Sequence, residues 1–157
     1  MFIGYFTERP YQDPKSGYFG ATGKPIKDLA VSNDIYDPEL GAELYNRYLD
    51  EKIYAEEMGF DGLMLNEPHS TPSCVNVGAN MTAAILARTT TRAKLLLLGN
   101  ILPIEDNPVR MAEQIAMADL ISGGRVLSAS CVAWAWRRGG PTSTPCTTAS
   151  ASRNATT

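Results

Sequence analysis

Hydrophobic positions along this chain fall into blocks with two different periods. Four consecutive leucines, Leu95 to Leu98, cannot form a strand with one face in water, because alternate side chains would then be exposed. They predict a strand buried on both faces, as in a parallel sheet. Asn107-Pro108 then supplies a cap and a first helical residue whose missing N–H costs nothing, and Gly123-Gly124 supplies a stop that tolerates positive φ. Upstream, Met1 to Thr7 (MFIGYFT) is aromatic and β-branched and reads as a first strand. Pro38 to Met58 reads as a helix with Tyr45, Tyr48, Leu49 and Ile53 on one buried stripe, ended by Gly59. Phe60 to Leu65 is the second strand, and it opens into Asn66-Glu67-Pro68-His69-Ser70. After a connecting loop, Val77 to Arg88 reads as a second helix, with Met81, Ala84, Ile85 and Arg88 at helical spacing.

Strand, helix, strand, helix, strand, helix with short returns implies parallel strands joined by right-handed crossovers. A closed eight-stranded barrel and an open doubly wound sheet both use that order. Neither strand-to-helix turn carries GxGxxG or a Walker glycine loop, which weakens the open nucleotide-binding sheet. One segment interrupts the pattern. Glu8 to about Pro38, rich in Pro, Gly, Asp and Tyr, has no sustained period and reads as a long loop, either a substrate cover or an insertion without chemical role.

Composition narrows the class. With 157 residues, 44% hydrophobic and 20% charged, and a net charge of −3, the chain suits one soluble, cytoplasmic-type domain. No apolar run approaches the roughly 18 residues that a membrane span needs, and no basic segment precedes an apolar one at the N-terminus. The three cysteines have no metal-ligand spacing, and their odd count argues against a disulfide framework. No metal site, membrane contact or nucleic-acid surface is expected.

In any parallel α/β arrangement the chemistry sits at the C-terminal ends of the strands. Three segments therefore converge: Thr7 to Pro10, Asn66 to Ser70 and Gly99 to Asp106. His69, the chain's single histidine, is the natural acid or base, because an imidazole titrates near neutrality, and Glu67 could orient it. The alternative is structural: a histidine there caps the next helix or bonds a carbonyl. Gly99-Asn100 divides the same way. Glycine lets a flat ligand approach the backbone while asparagine serves a ring edge, or the pair is a β-bulge followed by a turn-forming residue. Asp119 and Arg125 fall near the opposite face, where they would support stability.

The run NPVRMAEQIAMADLISGGRV, with LNEPHS after the second strand, ILPI after the third and the opening GYFTERP, resembles the bacterial-luciferase-like flavin-dependent monooxygenases from about Met1 to Ser128. The resemblance implies the N-terminal portion of a (β/α)8 TIM barrel, here incomplete: parallel βαβαβα and the start of a fourth strand. It implies reduced flavin (FMNH2) at the barrel mouth, O2 and a small organic substrate into which one oxygen atom is inserted, a separate flavin reductase, and room for a homo-oligomer. Glu67 and His69 fall at the family's acid–base loop, though Pro68 replaces the first histidine of its usual Glu-His-His; Asn66, Gly99 and Asn100 fall at cofactor-binding positions. A deazaflavin F420-dependent oxidoreductase of the same fold is the alternative, and a non-catalytic half-barrel module is another.

The last segment departs from that family. Every Asp and Glu lies before residue 127, and both tryptophans lie after it. Restoring one base after the Ser128 codon, with plausible codons, re-reads Ala129 to Arg138 as Gly-Ile-Val-Arg-Gly-Val-Gly-Val-Glu-Thr, the expected fourth strand. The expectation is therefore a partial barrel over 1–128, a frameshifted or disordered tail over 129–157, and a chain too short to be active alone.

Overall fold

The computed structural model describes residues 1–13, 34, 36–69, 74–102 and 107–131. Four strands and three helices alternate along it: β1 (Gly4–Tyr5), α1 (Pro38–Glu57), β2 (Gly62–Asn66), α2 (Ala79–Thr89), β3 (Lys94–Ile101), α3 (Pro108–Ser122) and β4 (Val126–Cys131). The strands form one sheet in chain order, and every pairing is parallel, as the alternation of elements requires. The N-terminal strand is shorter than expected, only Gly4–Tyr5 of the seven residues. The proposed cover loop lies mostly outside the described residues.

Local chemistry sets the helix ends. The Asp37 carboxylate accepts from the N–H groups of Glu39 and Leu40, and Asn107 accepts from Val109 N–H, each followed by a proline in the first turn. Gly123 closes α3 in the left-handed region at φ 71°, where a side chain would be strained.

The core lies between the sheet and its helices. Leu63 and Leu65 of β2 and Leu95 and Leu97 of β3 are fully buried against Ala79, Ala83, Leu86 and Ala87 of α2 and Ala118 of α3. Two expectations fail here. The β3 leucines are not covered on both faces: Leu98 is 41% exposed, and its neighbour on the same face, Leu127 of β4, is 50% exposed. Among the described residues only one side of this sheet carries helices, so alternate leucines stay open. The buried face of α2 is the one without its largest apolar side chains. Met81 is 74% exposed and Ile85 is exposed, while the alanines turn inward, because methyl side chains let α2 settle close to both the sheet and α3. Tyr45 of α1 is likewise outside the buried stripe, which runs through Leu44, Tyr48, Lys52 and Ala55.

Strand β4 continues to Cys131, three residues beyond the expected end of native sequence, with Ala129 opposite Leu98, Ser130 opposite Asn100 and Cys131 opposite Ile101. Strand pairing uses backbone groups and accepts almost any side chain, so the sheet is indifferent to the change in composition there.

At the N-terminal ends of the strands two side chains fasten the elements together. The Glu56 carboxylate at the end of α1 accepts from Thr91, Arg92 and Ala93 N–H at 2.8, 3.0 and 2.6 Å. Burial raises its pKa, but these backbone bonds outweigh burial and hold it below the usual carboxylate value. Arg125, after α3, is buried and donates from Nε to Ser122 O, from Nη1 to Thr90 Oγ1 and Ala93 O, and from Nη2 to Ala87 O and Thr90 O. All five guanidinium N–H groups are used.

Candidate functional site

The opposite rim, at the C-terminal ends of β1, β2 and β3, is organised around Asn66. Its side-chain amide donates to Glu8 Oε2 at 2.8 Å, and its Oδ1 accepts from Arg9 Nη2 at 2.9 Å. Its backbone oxygen accepts from Arg9 Nη2 at 3.0 Å and from Asn76 Nδ2 at 2.8 Å. Asn76 in turn accepts from Thr82 Oγ1 at 2.5 Å, tying the rim to α2. Both polar ends of the Asn66 amide are thus engaged, so this residue positions the loop, and one amide N–H of its two is used by Glu8.

Arg9 is the residue that the sequence did not single out. It is 3% exposed and sits at φ 56°, the only non-glycine residue with positive φ among the described residues. That conformation costs on the order of 1–2 kcal/mol for an L-residue. The Val75 N–H bond to Arg9 O at 2.9 Å and the grip on Asn66 hold it there. Its place before Pro10 would favour extended backbone, so the sequence held no signal for this conformation. Burial lowers the guanidinium's pKa, and Cys74 opposes that shift; burial also pushes the Cys74 thiol up, so Cys74 is a neutral neighbour.

Glu67 and His69 come together. Glu67 is buried, with Oε1 3.2 Å from His69 Nε2 and Oε2 accepting from Ala79 N–H at 2.7 Å. Gly78 gives α2 no side-chain cap, so the Glu67 carboxylate caps it from β2's end, where a helix N-terminus favours negative charge. The structural alternative weighed for the histidine is therefore realised by its neighbour. The His69 side chain, 27% exposed, stays reachable and is oriented by a fixed carboxylate.

Gly99 and Asn100 do form a β-bulge. The register slips between Leu98 and Asn100, and Gly99 takes φ 98°. Leu98 pairs with Ala129 and Asn100 with Ser130, so the extra residue moves Asn100 off the open face that Leu98 occupies. It lies 1% exposed on the helix-covered side, donating from Nδ2 to Ser128 Oγ at 3.1 Å. Its Oδ1 is buried with no hydrogen-bond partner.

Residues 36–128 match the family model described as luciferase-like monooxygenase, more than half of the chain. The chain belongs to this family. No curated protein matches this luciferase-like chain. Among solved structures it is similar to a type II Baeyer–Villiger monooxygenase, the oxygenating constituent of 3,6-diketocamphane monooxygenase from the CAM plasmid of Pseudomonas putida in complex with FMN. The TM-score is 0.55 at 17% identity, over 82% of this chain and 28% of that one, so the luciferase-like chain spans about 28% of that neighbour's length. Its parallel four-stranded sheet with alternating helices is that of a partial (β/α) barrel. Among the described residues no helix is long and apolar enough to cross a membrane, and no group of three or more His, Cys, Asp and Glu side chains could hold a metal.

Proposed function

We propose that this chain contributes the β1 to β4 rim of a flavin-dependent monooxygenase site, which uses reduced FMN from a separate reductase and O2 to oxygenate a small organic substrate. The observation that carries the reading is the oriented Glu67–His69 pair at the end of β2, within a family whose FMN-bound structural neighbour shares the fold. Reduced flavin, when bound, supplies the two electrons that split O2, one atom entering the substrate and the other leaving as water.

The residues fit the ring end of such a cofactor. Gly99 has no Cβ and a left-handed backbone, so a flat ring can approach the main chain there. Asn100 Oδ1 is an acceptor at the same rim without a donor of its own. His69 would hold or move the proton at its imidazole, and Glu67, fixed by the α2 N-terminus, would keep the ring's orientation. Arg9 and Asn66 set the position of that loop. Phosphate-binding groups are expected from later strands. From residue 129 onward, out-of-frame translation is part of the same proposal; an intact frame shared by close relatives at the locus would remove it.

Mixing the full chain with FMN and following flavin fluorescence tests the reading. Quenching is expected, with Gly99→Val weakening it at least tenfold and His69→Gln leaving it in place. A response to F420 with none to FMN would assign the other cofactor. No response to either, from a cooperatively folded chain, would overturn the flavin reading.

A further inference from the structure

We propose that Asn76 and Thr82 are positioning residues for the Glu67–His69 pair, and that through them α2 holds both ends of the Glu67 side chain in one frame. The inference deepens the reading of that pair as the acid–base group of the rim and rests on it.

Three threonines belong to α2 and its C-terminal cap, and they do not bond alike. Thr89 donates its hydroxyl to Ile85 O at 3.0 Å and Thr90 donates to Leu86 O. In each case the acceptor is the carbonyl four residues back, the ordinary partner of a helical threonine. Thr82 has the same choice, with Gly78 O at 3.4 Å, but its hydroxyl lies 2.5 Å from Asn76 Oδ1. A hydroxyl carries one proton, and the shorter bond takes it. Thr82 is therefore committed to the loop before the helix. Both partners of this bond are buried, Thr82 at 8% and Asn76 at 2% exposure, so water does not compete for it.

Asn76 passes the hold on to the end of β2. Its Nδ2 donates to Asn66 O at 2.8 Å, and Arg9 Nη2 donates to the same oxygen at 3.0 Å, so both lone pairs of that carbonyl are occupied. This carbonyl shares a planar peptide unit with the nitrogen of Glu67, and fixing it fixes the direction in which Glu67 leaves the main chain. The far end of the side chain is held by α2 directly. Ala79 N–H donates to Glu67 Oε2 at 2.7 Å, which leaves Oε1 for His69 Nε2 at 3.2 Å. Ala79 and Thr82 lie within one turn of the same helix, so the two ends of Glu67 are referred to a single rigid element. Arg9 comes from the loop after β1 and cannot supply that common reference. The demand for it is chemical, because proton transfer needs hydrogen-bond reach and a misplacement of about 1 Å can cost roughly 10²-fold in rate.

The single histidine lets the full chain report on itself, without flavin. Its ring ¹H and ¹⁵N signals at fixed pH should change when Glu67→Gln removes the carboxylate. Thr82→Val, which keeps the shape and deletes the hydroxyl, should move the same signals, and so should Asn76→Leu, which deletes both bonds of the amide. In either background Glu67→Gln should add less than about half of the change it makes alone, the mark of residues that act as one unit. Thr82→Ser keeps the hydroxyl and should keep the unaltered ring signals. A Thr82→Val protein that unfolds earlier in urea while the histidine signals stay in place would overturn the proposal, since a purely structural threonine behaves that way. Additive changes, or Thr82→Ser matching Thr82→Val, would overturn it as well. Should Thr82→Val fail to fold, the same cycle on Asn76→Leu decides. Absence of FMN quenching with this coupling intact would count against the flavin reading alone and would support the positioning.

Discussion

Two arginines are buried among the described residues, at opposite ends of one sheet, and they are used differently. Arg125, at the N-terminal ends of the strands, places all five N–H groups on carbonyl or hydroxyl oxygens. Arg9, at the C-terminal ends, uses one nitrogen, holds a strained backbone and leaves Nε unpartnered. The contrast extends to whole regions. Among the described residues three buried side-chain atoms lack a hydrogen bond, Arg9 Nε, Asn80 Oδ1 and Asn100 Oδ1, and all lie at the C-terminal end of the sheet, where α2 starts and β1 and β3 stop. Folded chains satisfy their buried polar groups wherever stability is the only demand. One end of this sheet therefore has its buried polar groups paired, and the other leaves three of them unpaired, as the proposed ligand-binding rim would.

The largest test of that contrast is Arg125→Met. It strips five acceptors of their donor in a buried cluster, so a loss of about 3–5 kcal/mol in urea unfolding is expected. Lysine at this position should recover little, since one ammonium cannot span the carbonyls of Ala87, Thr90, Ala93 and Ser122. A loss under about 1 kcal/mol would mean that the N-terminal end is not the stabilising one.

Next in size is Lys52→Met. The folded-state pKa of Lys52, about 7, lies below the 10.5 of an exposed lysine. The unfolded chain therefore binds more protons between those values, and stability rises with pH from about 7 to about 10.5. Below about 7 the lysine is charged in both states and its full burial cost is present. Methionine removes that cost, so urea melts should show a gain of about 1–4 kcal/mol at or below neutrality, shrinking as pH rises, and a flatter profile. Equal pH profiles for the two proteins would show that the ammonium is not desolvated.

How much of this was written in the residue pattern follows from what each residue signals. The parallel order was legible because Asp37, Asn107, Gly59 and Gly123 punctuate the elements and the strands are apolar without long alternation. The inward face of α2 was not, because helical spacing alone does not choose between Met81 with Ile85 and the alanines, which close packing prefers and which carry little signal. Leu96 and Leu98 looked buried because their composition suits a closed barrel, but cover on that face has to come from other elements. At the rim, Glu67 with His69 could be paired from spacing alone, and the Gly99 bulge was one of two readings. Arg9 and Lys52 were invisible because charge in a loop, or on an amphipathic helix, normally means solvent.

Glu56→Ala sharpens the comparison from the end whose polar groups are paired. It removes an acceptor shared by three backbone N–H groups and should cost about 1–3 kcal/mol near neutral pH. The folded carboxylate has a depressed pKa, so its contribution is present above the ordinary value of 4.5 and disappears as pH falls through the lower folded value. The difference between the two proteins in urea melts should close on acidification. A gap that persists in strong acid would assign the loss to packing of the side chain.

Asn100→Leu carries the smallest expected change in stability and separates the two ends most directly. Leucine has nearly the same shape and deletes an acceptor that is buried without a donor, which offsets the loss of the 3.1 Å bond to Ser128. Unfolding free energy should change by no more than about 1 kcal/mol in either direction. If Asn100 belongs to the proposed flavin rim, FMN quenching should nevertheless weaken at least tenfold. Loss of binding with unchanged stability is the signature of a residue held for a ligand at some expense to the fold. A loss of more than about 2 kcal/mol would instead place Asn100 with Arg125 and Glu56, as a fastening, and the orphaned oxygen would then need another explanation.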